Sequence, residues 1–172
     1  MRREILLLRH AKSAWDDPSL SDHDRPLSPR GETAVRRLHD HFVRAGYRPD
    51  VVLCSSARRT VDTLGGIRDA LPKRTSIEVS VDLYLADAGA LLARLHSLDD
   101  GIRGAVFIGH NPGLEDLAAR LVGSGDDRLR AQLAAKFPTG AMAALSFDGG
   151  WAELRTGGAR IDALFMPRAP RV

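Results

Sequence analysis

The chain has 172 residues, 44% of them hydrophobic and 27% charged, the proportions of a folded domain and not of a disordered segment. Its single cysteine, Cys54, excludes an internal disulfide and a cysteine-cluster zinc site, and no apolar run approaches the ~20 residues of a membrane helix. The net charge of +3 comes mainly from arginines interleaved with acids, and aromatics make up only 5%, so the chain has neither the basic block nor the stacking platform of a nucleic-acid binder.

These proportions predict one domain over residues 1–172. The apolar run after Arg2-Arg3 is too short for a signal peptide, which predicts a cytoplasmic protein with no membrane partner. In chain order, residues 5–8 form a continuous apolar run, the pattern of a buried strand. Residues 29–46 predict a helix, with Ser28 as N-cap, Pro29 at the first position and Gly46 at the end. A second buried strand follows over 51–54 and a helix over 57–71, stopped by Pro72. A weaker strand over 77–81 and a helix over 88–98 come next. The third strong strand, 105–108, leads into a helix over 113–122 with Gly123 just beyond its end, then another over 127–136. Strands over 141–147 and 151–155 are expected to pair across Asp148-Gly149-Gly150. The tail with Pro167 and Pro170 reads as an edge strand running into a loose end. Strand–helix alternation of this kind predicts an α/β three-layer sandwich, a mostly parallel central sheet with helices on both faces.

Open parallel sheets carry their sites beyond the carboxyl ends of the strands. Three strong strands end there in polar residues: Arg9-His10, Ser55-Ser56 through Arg59, and Gly109-His110-Asn111. Each alone reads as an ordinary turn or, at Ser55-Ser56, as a helix N-cap. Other reactive side chains lack a constellation. Cys54 has no arginine at the spacing of a cysteine phosphatase and reads as a strand cysteine. His39 and His41, two apart on a helix, cannot share a face, and His96 is isolated, so no metal cluster is expected. His23 lies in the Asp22-His-Asp-Arg25 loop near the expected site and reads as a solvated loop residue.

Together the three segments are far more specific. Strand–Arg-His, strand–Ser-x-x-x-Arg-x-x-x-Thr and strand–Gly-His-Asn, in this order, resemble the histidine phosphatase superfamily, whose members share a phosphoglycerate-mutase-like fold. Leu-Leu-Leu-Arg-His-Ala-Lys-Ser-Ala-Trp over 6–15, Asp-Arg-Pro-Leu-Ser-Pro-Arg-Gly over 24–31 and Gly-His-Asn-Pro-Gly-Leu-Glu over 109–115 resemble its small SixA-type phosphohistidine phosphatases. Pro138-Thr139-Gly140 matches their C-terminal half.

The resemblance implies that His10 is the nucleophile and that Arg9, Arg59 and His110 surround the phosphoryl group. Ser13 and Asn111 are implied as further phosphate contacts. It implies no metal and no cofactor, because guanidinium and imidazolium charges take the ion's place. The implied substrate is a phosphorylated protein carrying phosphohistidine, or alternatively a small phosphorylated metabolite; a non-catalytic phosphoprotein-binding module is the remaining reading. Ala11 and Asp16 depart from the mutase-type signature, and Leu85 stands where many relatives hold a carboxylic acid. Asp82 and Asp87 flank that place and are the candidate general acids. A site without an acid suits phosphohistidine, because imidazole leaves more readily than an alkoxide.

Overall fold

The computed structural model describes residues 1–168. Seven strands, β1 (Arg2–Arg9), β2 (Val51–Ser55), β3 (Ser76–Ser80), β4 (Gly104–Gly109), β5 (Val122–Gly125), β6 (Met142–Asp148) and β7 (Ala159–Phe165), form one sheet. Its order is β3-β2-β4-β1-β6-β7-β5. Pairing is parallel between β2 and β3, β2 and β4, β1 and β4, and β5 and β7; β6 runs antiparallel to both neighbours. The helices are α1 (Pro29–Ala45), α2 (Arg58–Ile67), α3 (Ala88–His96), α4 (Gly113–Leu121) and α5 (Asp127–Ala135). This is the α/β sandwich that the alternation predicts.

Side chains that alternate along each strand divide the core in two. Leu6 and Leu8 of β1, Val52 and Cys54 of β2, and Val106 and Ile108 of β4 face α1 and α2, meeting Val35, Leu38, Phe42 and Leu64. Ile5, Leu7, Leu53 and Phe107 point the other way, toward Leu91 and Leu95 of α3, Leu114 and Leu117 of α4 and Leu133 of α5. Both faces of the central strands are therefore covered, which is why residues 5–8 are uniformly apolar instead of alternating. Each such fully buried aliphatic side chain contributes about 1.5–3 kcal/mol.

The boundaries of α1 follow its punctuation. Ser28 Oγ accepts from the Gly31 amide at 3.1 Å, and Gly46 takes the left-handed conformation (φ 69°) while its amide donates to the Phe42 carbonyl. At α2 the N-cap is Ala57, with no side-chain cap, so the serines before it are not caps. Beyond Ile67 the helix tightens into a 3₁₀ turn, Arg68–Ala70.

Two expectations fail in the C-terminal third, and one strand there is not predicted by the pattern. Residues 151–155 are not the second hairpin strand: Trp151–Glu153 is a 3₁₀ turn, and β6 pairs instead with β7. Apolar residues at 151, 152 and 154 fit either period, and burial decides between them. Trp151 is fully buried, its Nε1–H donates to the Ile102 carbonyl at 2.8 Å, and the turn curls around this anchor. Gly123 stands just past the end of α4, as expected, but there it enters β5, a strand the pattern does not predict. A Cβ there would collide with the Gly157 carbonyl, so glycine permits two segments to cross at backbone distance. The final strand is not an edge, since β5 lies outside it; Pro170, in the expected tail, falls outside the described residues. Among the described residues no helix is long and apolar enough to cross a membrane.

Candidate active site

β2, β4 and β1 are adjacent and parallel, so their carboxyl ends reach one edge of the sheet together. Arg9 pairs with Gly109 at the last rung, and the His10 amide extends the ladder by donating to the Gly109 carbonyl at 3.1 Å. Register alone thus brings the polar residues after the first and third strong strands side by side. The His10 and His110 ring centroids lie 5.3 Å apart. The first turn of α2 supplies Arg59 between them. Its Nε–H donates to His10 Nε2 and its Nη2 to His110 Nδ1, both at 3.3 Å. His10, His110 and Arg59 are all buried.

Hydrogen bonds determine which nitrogen of each ring carries the proton. A carbonyl only accepts, so His10 Nδ1–H donates to the Ala11 carbonyl at 2.6 Å, leaving the Nε2 lone pair facing Arg59. A guanidinium only donates, so His110 Nδ1 is the acceptor and its Nε2–H donates to Ser55 Oγ at 2.7 Å. Both rings are neutral. Burial, with the cationic Arg59 and Arg9 nearby, lowers the His10 pKa to about 4, although the Ala11 carbonyl favours the charged form. Burial, then the neighbouring His10 and Arg59, pushes His110 down to about 3. The expected imidazolium is therefore absent at neutral pH, and the pocket's positive charge resides on the two arginines.

Arg9 is half-buried; its Nη1 donates to the Phe137 carbonyl at 3.1 Å, and its buried Nε has no partner among the described residues. Thr63, the last residue of the Ser-x-x-x-Arg-x-x-x-Thr segment, accepts from the Ala11 amide at 3.1 Å and donates to the Arg59 carbonyl at 2.7 Å. It thus ties the loop after β1 to the helix that carries Arg59.

The other expected residues take different places. Ser13 is buried, and its backbone bridges to Leu27 just ahead of α1. Asn111 directs its amide nitrogen to the Phe137 carbonyl (2.9 Å), which Arg9 also bonds, and toward Glu115 (3.4 Å), while its buried Oδ1 has no partner among the described residues. Asp87 caps α3, its Oδ1 accepting from the Ala90 amide at 2.8 Å. Asp82 is exposed and bonds to Ser80 through its own amide, not its carboxylate. Leu85 is 56% exposed with a φ of 53°.

Two residues that sequence reasoning passed over stand at the pocket. Asp22 accepts from Arg59 twice, through its carbonyl (2.6 Å) and Oδ2 (3.0 Å), and from Arg25 through Oδ1 (2.6 Å). The Tyr84 hydroxyl also donates to Asp22 Oδ2. These donors, Tyr84 first, hold the carboxyl near pKa 2. Tyr84 stands edge-on to His110 at 5.4 Å, delivered by the segment in which the acid was sought, one residue before Leu85. The remaining signal was the Asp22-x-x-Arg25 spacing, read for His23 instead. His23 is not merely solvated, since its Nε2 lies 2.8 Å from Ser56 Oγ. The 22–25 loop is thereby strapped across the pocket.

Other titratable groups serve structure. Burial pushes the Cys54 thiol up to about 12, which removes it as a nucleophile. His41 stacks on Phe165 at 4.7 Å, and His96 bonds the Leu154 carbonyl at 2.7 Å.

Comparison with known proteins agrees with this geometry. A sequence profile of the histidine phosphatase superfamily (branch 1) matches residues 5–92. An uncharacterized protein of Mycobacterium tuberculosis is 35% identical over 164 residues, covering 94% of this chain and all of the relative. A chloroplastic protein of Arabidopsis thaliana is 36% identical over 133 residues, 71% of this chain and 60% of its own. Among solved structures, the SixA protein of Nakamurella multipartitia superimposes with a TM-score of 0.82 at 27% identity, covering 98% of each chain. The protein histidine phosphatase SixA complexed with tungstate superimposes with a TM-score of 0.76 at 25% identity, covering 95% of this chain and 97% of that one. With the profile spanning half of the chain and the SixA structures matching nearly all of it, the chain belongs to branch 1 of the histidine phosphatase superfamily, in its SixA-type group.

Proposed function

We propose that the protein is a phosphohistidine phosphatase that works through a covalent intermediate on His10 and takes its phosphoryl group from a protein. The observation that carries this reading is the pinned tautomer: Nδ1–H is tied to the Ala11 carbonyl, and the Nε2 lone pair faces the guanidinium of Arg59. A neutral ring with its proton on the far side is a nucleophile without needing a base to deprotonate it.

The phosphoryl oxygens are held by Arg9 and Arg59, whose planar forks suit three oxygens sharing charge. His10 Nε2 forms the new P–N bond as the bond to the departing nitrogen breaks in line, its electron pair leaving with the substrate imidazole. Water then attacks phosphorus and displaces Nε2, which recovers its electron pair, while one water proton passes to a phosphoryl oxygen so that the product leaves as dihydrogen phosphate. His110, neutral in the empty pocket, gains a proton beside the dianion and turns Nδ1 from acceptor to donor. Ser55 holds the ring through Nε2 during that change.

Substrate choice rests on the carboxylates. Asp87 is engaged as a helix cap, and Asp22 is held ionised, so Asp22 has no proton to give at neutral pH. An alkoxide requires such a proton, whereas phosphohistidine carries its own on the second ring nitrogen and departs as neutral imidazole. The SixA structure bound to tungstate, by name a protein histidine phosphatase, supports the same class.

The test is a parallel assay of phosphohistidine protein, phosphoramidate, p-nitrophenyl phosphate and an alkyl phosphate. Alkyl phosphate turnover is expected to be at least ~10²-fold below that of phosphohistidine, the factor general acid catalysis usually supplies. His10→Ala is expected to abolish turnover and the acid-labile phosphoenzyme on rapid quenching. Efficient alkyl phosphate cleavage would move the assignment to a metabolite phosphatase, and an active His10→Ala would remove the nucleophile.

A further inference from the structure

A groove of about 770 Å³ opens beside the phosphoryl pocket, between α1, the end of α5 and the segment after β7. Arg9 lines its wall and is also one of the two arginines assigned to the phosphoryl group, so the groove borders the pocket at this residue. Among the described residues six cationic side chains line it, Arg9, Lys12, Arg30, Arg37, Lys136 and Arg168, and no carboxylate does. Those six carry twice the chain's net charge of +3, which leaves the remainder of the molecule net negative. Among the described residues none of the six forms an ion pair, although eleven pairs occur elsewhere.

Placement follows from helix periodicity. Arg30, Thr33, Ala34 and Arg37 occupy positions i, i+3, i+4 and i+7 of α1, a single stripe facing the groove. Arg37 is held at one end by donating to the Pro167 carbonyl at 3.0 Å. Lys136 follows α5 on the opposite side, and Ala34, Pro138 and Met166 supply apolar surface between the charged rims. The volume far exceeds that of a phosphoryl group, so it serves the remainder of a substrate. That remainder is anionic at its edges and aliphatic in the middle. A nucleobase would require an aromatic face, and the described residues of the groove offer none. Acidic side chains match it, their carboxylates reaching the rims and their stems lying on the apolar floor.

We propose that this groove docks an acidic segment of the phosphohistidine-bearing protein, adjacent to the residue whose phosphoryl group enters the pocket. The proposal rests on the phosphohistidine reading of that pocket. Cationic rims speed encounter and select partners by charge, so the effect belongs mainly to KM and weakens with salt.

The experiment uses two synthetic phosphohistidine peptides, identical except that one carries Asp and Glu beside the phosphohistidine and the other Asn and Gln. Phosphoramidate is the control substrate. The wild type is expected to favour the acidic peptide by about tenfold or more in kcat/KM at low salt, with the preference collapsing near 1 M salt, where screening acts within about 3 Å. The triple variant Arg30→Glu, Arg37→Glu, Lys136→Glu is expected to lose or invert that preference while phosphoramidate turnover stays at the wild-type level. Should that variant misfold and lose phosphoramidate turnover, the milder pair Arg30→Gln and Arg37→Gln is expected to show a partial loss of preference. Equal turnover of both peptides by the wild type overturns the docking proposal and leaves the catalytic reading standing. If neither peptide is cleaved while phosphoramidate is, the protein-phosphohistidine reading itself fails. Equal peptide turnover together with tripolyphosphate inhibition that the triple variant relieves would reassign the groove to small polyanions.

Discussion

His10 and His110 share one pocket, and the same burial keeps both uncharged, with pKa values near 4 and 3. For His10, the proposed nucleophile, neutrality is the reactive state. For His110 it is a resting state that a dianion should reverse, because negative charge beside Nδ1 favours imidazolium. Anion binding is therefore coupled to proton uptake. Sulfate, which stays dianionic from pH 8 to 5, is expected to bind more tightly as pH falls across that range, by up to about tenfold per unit for one proton taken up. Calorimetry should find this slope retained in His10→Asn and lost in His110→Gln. A flat wild-type profile would show that His110 stays neutral against the anion and that the arginines alone carry the charge.

At the scale of elements, the pocket is assembled by short ties between the loop after β1, α1 and α2. Gly31, in the first turn of α1, has no room for a side chain, because a Cβ there would overlap the Lys12 carbonyl oxygen. That carbonyl also accepts the Ser28 amide at 2.9 Å, so the backbone after His10 and the start of α1 are laid directly against one another. Gly31→Ala must push them apart. An overpacking cost of about 1–3 kcal/mol is expected in urea unfolding. Phosphoramidate kcat should fall more than tenfold even at temperatures where the variant is folded, since Lys12 lies two residues from His10, the proposed nucleophile. Destabilisation with normal kcat would mean that the loop position does not govern His10.

Across the whole molecule, burying neutral histidines makes acid a specific threat. An unfolded chain protonates both near pH 6.5, but the fold does not until about pH 4 for His10 and about 3 for His110. Between those limits the unfolded state binds more protons, so stability is complete above pH 6.5 and declines as pH falls toward 4. The slope is up to about 1.4 kcal/mol per pH unit for each ring. Asp22 acts in a lower window, its stabilisation present above the ordinary carboxyl pKa and lost as pH approaches 2. Urea midpoints measured from pH 7 to 4 should fall steadily in the wild type and less steeply in His10→Asn. Parallel profiles would place the acid sensitivity elsewhere.

Local chemistry in the sequence determined much of this protein. The continuous apolar run at 5–8, the Ser28–Pro29 and Gly46 ends of α1 and the Arg9, His10, Arg59 and His110 set were all legible, because each depends on neighbours a few residues apart or on a strand's end. The second hairpin strand was not, since apolar residues at 151, 152 and 154 satisfy two periods and only burial of Trp151 chooses one. Nor was β5, whose glycines hide a strand that exists because Gly123 and Gly157 meet across the chain. At the site, residue types were visible but charge states were not. Whether His110 is imidazole or imidazolium, whether Asn111 faces the phosphoryl pocket or the Phe137 loop, and that Asp22 and Tyr84 border Arg59 depend on contacts between segments distant in the chain. Periodicity and capping are local and can be read in order; desolvation and long-range hydrogen bonding arise only once the sheet has brought three strand ends to the same edge.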